Sequence, residues 1–169
     1  MGQPEMPHLK ELFELLPTMN KESARGVTLV ICSQIDMLLE RIIRAFLLPG
    51  DETEQLLTGF NAPLGSLAAR ATGARALALI TPAEFQEVNT LRKIRNEFAH
   101  QVHCTFADPK VAKLCARLKL SASELEGEPL DEPIARAAFT SAGICVIANL
   151  TNREAHASQQ QLSDRGWPY

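Results

Sequence analysis

The chain has 169 residues and a mass of 18.6 kDa, the size of one compact domain. Hydrophobic residues make up 46% and charged residues 22%, which excludes a disordered, collagen-like or disulfide-stapled chain and points to a soluble globular protein. The formal net charge of −3, from 17 basic and 20 acidic residues, carries no whole-chain signature of nucleic-acid binding.

The opening residues, with Pro4, Glu5 and Pro7, lack the basic-then-apolar form of a signal peptide. No run reaches the ~18–20 apolar residues of a membrane span, so no membrane association is expected. Residues 1–20 are predicted to form a peripheral N-terminal helix, with Leu9, Leu12, Phe13, Leu15 and Leu16 on a short amphipathic segment closed by Pro17. From about Lys21 to Leu48 a long helix is predicted, capped by Asn20 or Ser23 and stopped at Pro49-Gly50. Its apolar residues nearly encircle the axis, the mark of a central helix. One polar stripe interrupts them, formed by Ser33, Asp36, Glu40 and Arg44. Glu40 and Arg44 make an i,i+4 pair of favourable order, and solvent exposure is the default expectation for the stripe.

A short helix is predicted over 51–58, followed by a non-helical break at Phe60-Asn61-Ala62-Pro63-Leu64-Gly65-Ser66. Ser66 then caps a helix from Leu67 to about Leu79 that is rich in alanine. Thr81-Pro82-Ala83-Glu84 is a capping box with proline at the first helical position. The helix it opens is expected to run to His100. Asp108-Pro109 repeats the cap-and-proline device for a helix over 109–119, residues 120–133 read as a loop, and a last long helix is predicted over 134–157 before a polar, flexible tail at 158–169. The expectation is an all-α, single-domain helical bundle of about six to seven helices spanning 1–169, with residues 21–119 as the core that bears the motifs.

Charge is unevenly spread along these elements. Residues 1–64 carry 5 basic and 9 acidic side chains, residues 65–119 carry 9 and 4, and residues 120–169 carry 3 and 7. A positive centre thus lies between acidic flanks, placed either to meet an acidic partner or phosphate backbone or to neutralise the rest of the fold.

The chemistry is concentrated on the helix 82–100. On a helical wheel Phe85, Val88, Leu91, Ile94, Phe98 and Ala99 cover one arc, and Arg95 falls inside it. A guanidinium there needs an acid, carbonyls or another subunit. Asn89, Arg92, Asn96 and His100 form a ridge at the arc's edge. Two readings follow. In one, Arg95 is a structural pin, ion-paired with Asp36 or Glu40, while Asn96 and His100 bond to loop backbone. In the other, His100 is a general acid or base and Arg95 stabilises a pentacoordinate phosphate in metal-independent RNA cleavage.

No metal site and no cofactor is expected. His100, His103 and Cys104 do not match zinc-ligand spacing, and neither a glycine-rich phosphate loop nor a nucleophile elbow occurs. Cys32, Cys104, Cys115 and Cys145 show no repeated spacing and read as reduced thiols of a cytoplasmic protein. No helix-turn-helix is recognisable, so direct DNA binding is not expected.

Two stretches resemble a known family. Phe60-Asn61-Ala62-Pro63-Leu64-Gly65-Ser66-Leu67-Ala68-Ala69-Arg70, with Leu79-Ile80 and Glu84-Phe85 beyond it, is similar to the mannitol operon repressor family. So is Arg92-Lys93-Ile94-Arg95-Asn96-Glu97-Phe98-Ala99-His100. The similarity spans roughly Gly26 to Leu118. Within the second stretch Arg95, Asn96 and His100 match the arginine–polar–x3–histidine pattern of the wider HEPN helical superfamily. The resemblance implies an all-helical, commonly dimeric regulator, a repressor of mannitol-type genes that acts through a protein partner rather than by reading DNA. The cluster Asp36, Glu40, Asn89, Arg92, Arg95, Asn96 and His100 then serves interaction or structure, with the loop Phe60, Asn61, Pro63, Leu64 and Gly65 as a family feature. The alternative it leaves open is a HEPN-type endoribonuclease or its inactive relative, with RNA as the partner and Arg95, Asn96 and His100 as the catalytic group.

Overall fold

The computed structural model describes residues 14, 16, 17, 19, 21–121 and 130–168. Most of the predicted N-terminal helix and of the 120–133 loop lies outside these described residues. The rest form seven helical segments and, among the described residues, no strand: α1 (Ala24–Phe46), α2 (Asp51–Leu57), α3 (Leu67–Ala76), α4 (Pro82–His100), α5 (Pro109–Cys115), α6 (Glu132–Thr151) and α7 (Arg153–Ser158). The all-α bundle read from the sequence is the architecture found.

The centre of the bundle is α1, about 35 Å long at 1.5 Å per residue. Ser23 starts it, its Oγ accepting from the Gly26 N–H at 3.0 Å. Val27, Ile31, Ile35, Leu39, Ile42 and Ile43 are fully buried along it. The helices α6 and α7 cover one side of α1, and α3 and α4 cover another. From α6, Ala135, Ala138, Phe139, Ala142, Val146, Ile147 and Leu150 face inward at helical spacing. Gly143 lets α6 approach α1 closely: a Cβ there would stand 2.6 Å from Ile31 Cγ2. Phe98 of α4, Phe106 and Phe139 stack through the core, with centroids 4.9 and 5.6 Å apart.

The capping box at α4 forms as predicted. Thr81 Oγ1 accepts from the Glu84 N–H at 3.2 Å, and the Thr81 N–H donates to Glu84 Oε2 at 2.7 Å. Other boundaries differ from expectation for local reasons. The α3 helix stops at Ala76, short of Leu79, because the chain turns through Ala78 at φ 59° and the Leu79 N–H closes back onto the Ala74 carbonyl at 2.8 Å. Asp108 accepts from the Thr105 N–H instead of capping α5. That helix ends at Cys115 rather than 119, and the Lys119 and Leu120 N–H groups donate to the Glu87 carboxylate at 3.2 and 2.9 Å. The last helix begins at Glu132, capped by Asp131, and breaks at Asn152 into α6 and α7.

By length and composition Glu132–Ser158 is apolar enough to cross a membrane, an 18-residue window of it reaching a mean hydropathy of 1.4. The same stretch comprises α6 and α7, which pack against α1, with 44% of that window buried within the protein. Beyond α7, the Leu162 N–H donates to the Phe46 carbonyl at 2.8 Å, tying this end of the chain to the end of α1.

Candidate functional site

The polar stripe of α1 does not face water along its length, because α3 lies across it. Arg70, 7% exposed, places Nη1 2.7 Å from Asp36 Oδ2 and Nη2 2.6 Å from Glu40 Oε2, and donates to the Leu57 carbonyl at 3.0 Å. Glu40 also takes Arg44 Nη2 at 2.8 Å, and Arg44 continues to Glu54 of α2. The ion-pair partner of Asp36 and Glu40 is therefore Arg70, not Arg95. Its neighbourhood of small residues, Ala69, Ala71 and Ala74, is what lets α3 come close enough for the guanidinium to span both carboxylates.

Arg95 is left in a different situation. It is half-buried, its Nη1 donates to Asn96 Oδ1 at 3.2 Å, and its Nε is buried without a partner. Arg92, one turn earlier, donates to Asn89 Oδ1 at 3.3 Å and also has a buried, unpartnered Nε. Among the described residues no carboxylate lies within the 4.0 Å of an ion pair with either guanidinium.

Both arginines open into a cleft of about 470 Å³. Cys32, Ser33 and Asp36 of α1 form one wall, Ser66 and Leu67 at the start of α3 another, and Arg92, Arg95 and Asn96 the third. Burial pushes the Cys32 thiol up to about 12, against the pull of the Arg95 and Arg92 charges, so it is a core thiol and not a nucleophile. Cys115 is likewise pushed up to about 12 by burial, while Cys145 is only half-buried.

His100 stands apart from this cleft. It is exposed at the last residue of α4, as is Ala99, which the wheel had placed on the packed arc. The residues that follow are fixed by Arg25, whose Nη2 donates to the Gln101 and Val102 carbonyls at 2.7 and 3.0 Å. Of the seven polar residues singled out in the sequence, the structure thus makes two groups. Asp36 belongs to both the Arg70 pair and the cleft, Glu40 to the Arg70 pair alone, and Asn89, Arg92, Arg95 and Asn96 share the α4 ridge. Among the described residues no three His, Cys, Asp or Glu side chains gather into a set that could hold a metal ion.

A second groove, of about 640 Å³, runs along the other side of the α4 ridge between Phe85, Asn89, Arg92 and Lys93 and the segment bearing Arg117 and Lys119. Four of the nine basic residues of the positive centre meet here. Among the described residues the only acid in its lining, Glu87, is 3% exposed and committed to two backbone N–H groups.

The loop 60–65 is held by its own backbone: the Leu64 N–H donates to the Leu56 carbonyl at 2.8 Å and the Gly65 N–H to the Ala62 carbonyl at 2.9 Å. Asn61 takes the left-handed conformation at φ 59°, and Leu64 tucks against Gly73. Pro63 is exposed, and Phe60, 97% exposed, projects outward from this fixed turn.

Sequence reasoning missed the roles of Arg70, Glu87 and Arg153, and gave Glu84 only as the acid of its capping box. Glu84 is buried and takes Arg153 Nη2 at 2.8 Å, and Arg153 Nη1 donates to the Leu79 carbonyl at 2.8 Å. Glu84 and Glu87 both fall on the apolar arc of the wheel, among Val88, Leu91, Ile94 and Phe98, which is the signal that marks them as buried acids in need of donors.

No family model matches the chain, and no curated protein matches it. Among solved structures it is similar to a chain of the X-ray structure of the MtlR–HPr complex from Escherichia coli. The TM-score is 0.61 at 18% identity, and the match covers 90% of this chain and 99% of that one. At that identity the likeness shows an MtlR-like helical fold over nearly the whole chain.

Proposed function

We propose that this protein is a cytoplasmic regulator of transcription, a repressor of a sugar-alcohol or mannitol-type operon that works mainly through protein contacts as a homodimer. The observation that carries this reading is the fold shared with a chain of the MtlR–HPr complex over 90% of the sequence. The two stretches resembling the mannitol operon repressor family, at 60–70 and 92–100, support it. So does Phe60, an aromatic side chain displayed on a loop fixed by backbone hydrogen bonds, the kind of anchor that dominates protein interfaces.

HPr is the first partner to test, because MtlR is found in complex with it. The purified protein is expected to bind HPr of its own organism saturably in a calorimetric titration. Phe60→Ser is expected to weaken that binding at least tenfold with no change in Tm. A parallel titration with operator DNA at physiological salt decides the mode of action. Tight, sequence-dependent binding by the protein alone overturns the protein-contact mechanism.

A second reading, a HEPN-type endoribonuclease or its inactive relative, is favoured by one observation: Arg95 has no carboxylate partner and opens, with Asn96, into a cleft. Purified protein and a His100→Ala variant incubated with total RNA separate the two. Cleavage that the variant loses supports the enzyme, and no cleavage, or equal cleavage by both, removes it.

A further inference from the structure

The cleft between α1, α3 and α4 has a charge pattern that neither the bundle nor the partner surface uses. Arg41, Arg44, Arg70, Arg136 and Arg153 each meet a carboxylate or a main-chain carbonyl. Among the described residues Arg92 and Arg95 meet only neutral amides, each through one hydrogen bond longer than 3 Å that leaves four N–H groups of the guanidinium without an acceptor. They are like charges three residues apart on one helix face, a spacing that repels. Asp36 is in the same cleft; its Oδ2 is held by Arg70, while its Oδ1 is buried without a hydrogen-bond partner.

Across from the arginines lies the start of α3, a ten-residue helix. Ser66 Oγ accepts from the Ala69 N–H at 3.3 Å, which leaves the hydroxyl hydrogen free to donate elsewhere. The N–H groups of Leu67 and Ala68 have no carbonyl one turn before them. Two arginine forks and the start of a helix therefore line the same cleft. A planar carboxylate uses one fork, whereas a tetrahedral dianion can accept from several directions. The volume, about 470 Å³, suits a small metabolite, and a lining that includes Ser33, Ser66, Asn96 and two arginines beside Asp36 suits a polar one.

We propose that this cleft binds the phosphoryl group of a small phosphomonoester, held by Arg92 and Arg95 with Ser66 and the start of α3 opposite. The site adjoins the loop that carries Phe60, since Gly65 at the end of that loop is in its lining. Bound phosphate supplies the counter-charge that the two arginines lack, so it also stabilises the packing of α3 and α4 on α1.

The test is calorimetry on the full chain at constant ionic strength, with inorganic phosphate, glycerol 3-phosphate, acetate and oligouridylate as separate probes. Saturable binding of phosphate and glycerol 3-phosphate, at least tenfold tighter than acetate, is expected. Arg92→Gln and Arg95→Gln should each weaken it at least tenfold. Arg117→Gln, in the neighbouring groove, should change it less than twofold. A readout that needs no variant is the pair of Arg92 and Arg95 Nε–H resonances, which are expected to shift together as glycerol 3-phosphate is added. The proposal is overturned by a response that never saturates or by equal loss in Arg117→Gln. It is also overturned by binding of oligouridylate alone, or by Nε–H signals that stay in place.

Discussion

Replacing Arg70 by methionine keeps the apolar stem of the side chain but removes the cation that bridges Asp36 and Glu40 at 2.7 and 2.6 Å. Breaking a fully buried pair by deleting one partner costs about 3–5 kcal/mol, because a charge is left without solvent or counter-ion. Here the cost is reduced. The Asp36 and Glu40 side chains are 31% and 26% exposed and take up water, and Glu40 keeps Arg44 at 2.8 Å. A loss of about 2 kcal/mol results, or a fall in Tm of about 4–8 °C for a domain of this length. Urea unfolding followed by circular dichroism measures it. Adding Asp36→Asn removes the stranded charge, so the double variant should be more stable than the sum of the single changes predicts, by about 1 kcal/mol. Arg44→Met, on the more open end of the network, should cost no more than about 1 kcal/mol. A loss below about 0.5 kcal/mol for Arg70→Met, or strict additivity with Asp36→Asn, would refute the role of this cation in fastening α3 to α1.

Three further outcomes follow from the core. Gly143→Ala sets a methyl group 2.6 Å from Ile31 Cγ2 and 2.9 Å from its Cδ1, against a β-branched side chain with little freedom to turn aside. Overpacking of about 1–3 kcal/mol should outweigh the ~1 kcal/mol that alanine gains over glycine in a helix, and chemical unfolding should show a net loss. The thiols of Cys32 and Cys115, both pushed up to about 12 from 9.0 by burial, stay protonated in the folded chain long after they ionise in the unfolded one. Below pH 9 their contribution to stability is complete, and it is lost as pH climbs from 9 towards 12, so alkaline unfolding should steepen in that window. At pH 8 neither thiol should react with Ellman's reagent until urea opens the bundle.

Helices were legible in the sequence wherever a local device marks them. Thr81 and Glu84 form both halves of their capping box, and Ser23 and Ser66 each start the helix assigned to them. Boundaries set by distant groups were not. The chain beyond Cys115 bonds to Glu87, some thirty residues earlier, and the turn at Ala78 uses a residue with no preference for a left-handed conformation. The candidate site shows the same division. That Arg95 needs a partner follows from its place on the wheel. Which acid it meets depends on which helix crosses α1, and the helix that does so brings Arg70 instead. Asp36 and Glu40 were visible as polar members of an apolar helix, yet i,i+4 spacing alone gave only Arg44 as a neighbour. Phe60 gave no warning of its exposure, since an aromatic beside Leu56 and Leu57 has the composition of a core position.

The way α1 is covered bears on how the protein is made. This helix is the first described long segment of the chain, and much of its buried face is closed by α6 and α7, the last two. A ribosome adding residues one at a time therefore releases Ile31, Ile35, Leu39 and Ile42 well before Ala138, Phe139, Ala142 and Val146 exist to receive them. For the interval in which some hundred residues are synthesised, the nascent chain carries an apolar helix that α3 and α4 can shelter on one side while the side facing α6 and α7 stays open. Arg153, reaching back to Glu84 and the Leu79 carbonyl, is the latch that closes once the final helix has emerged.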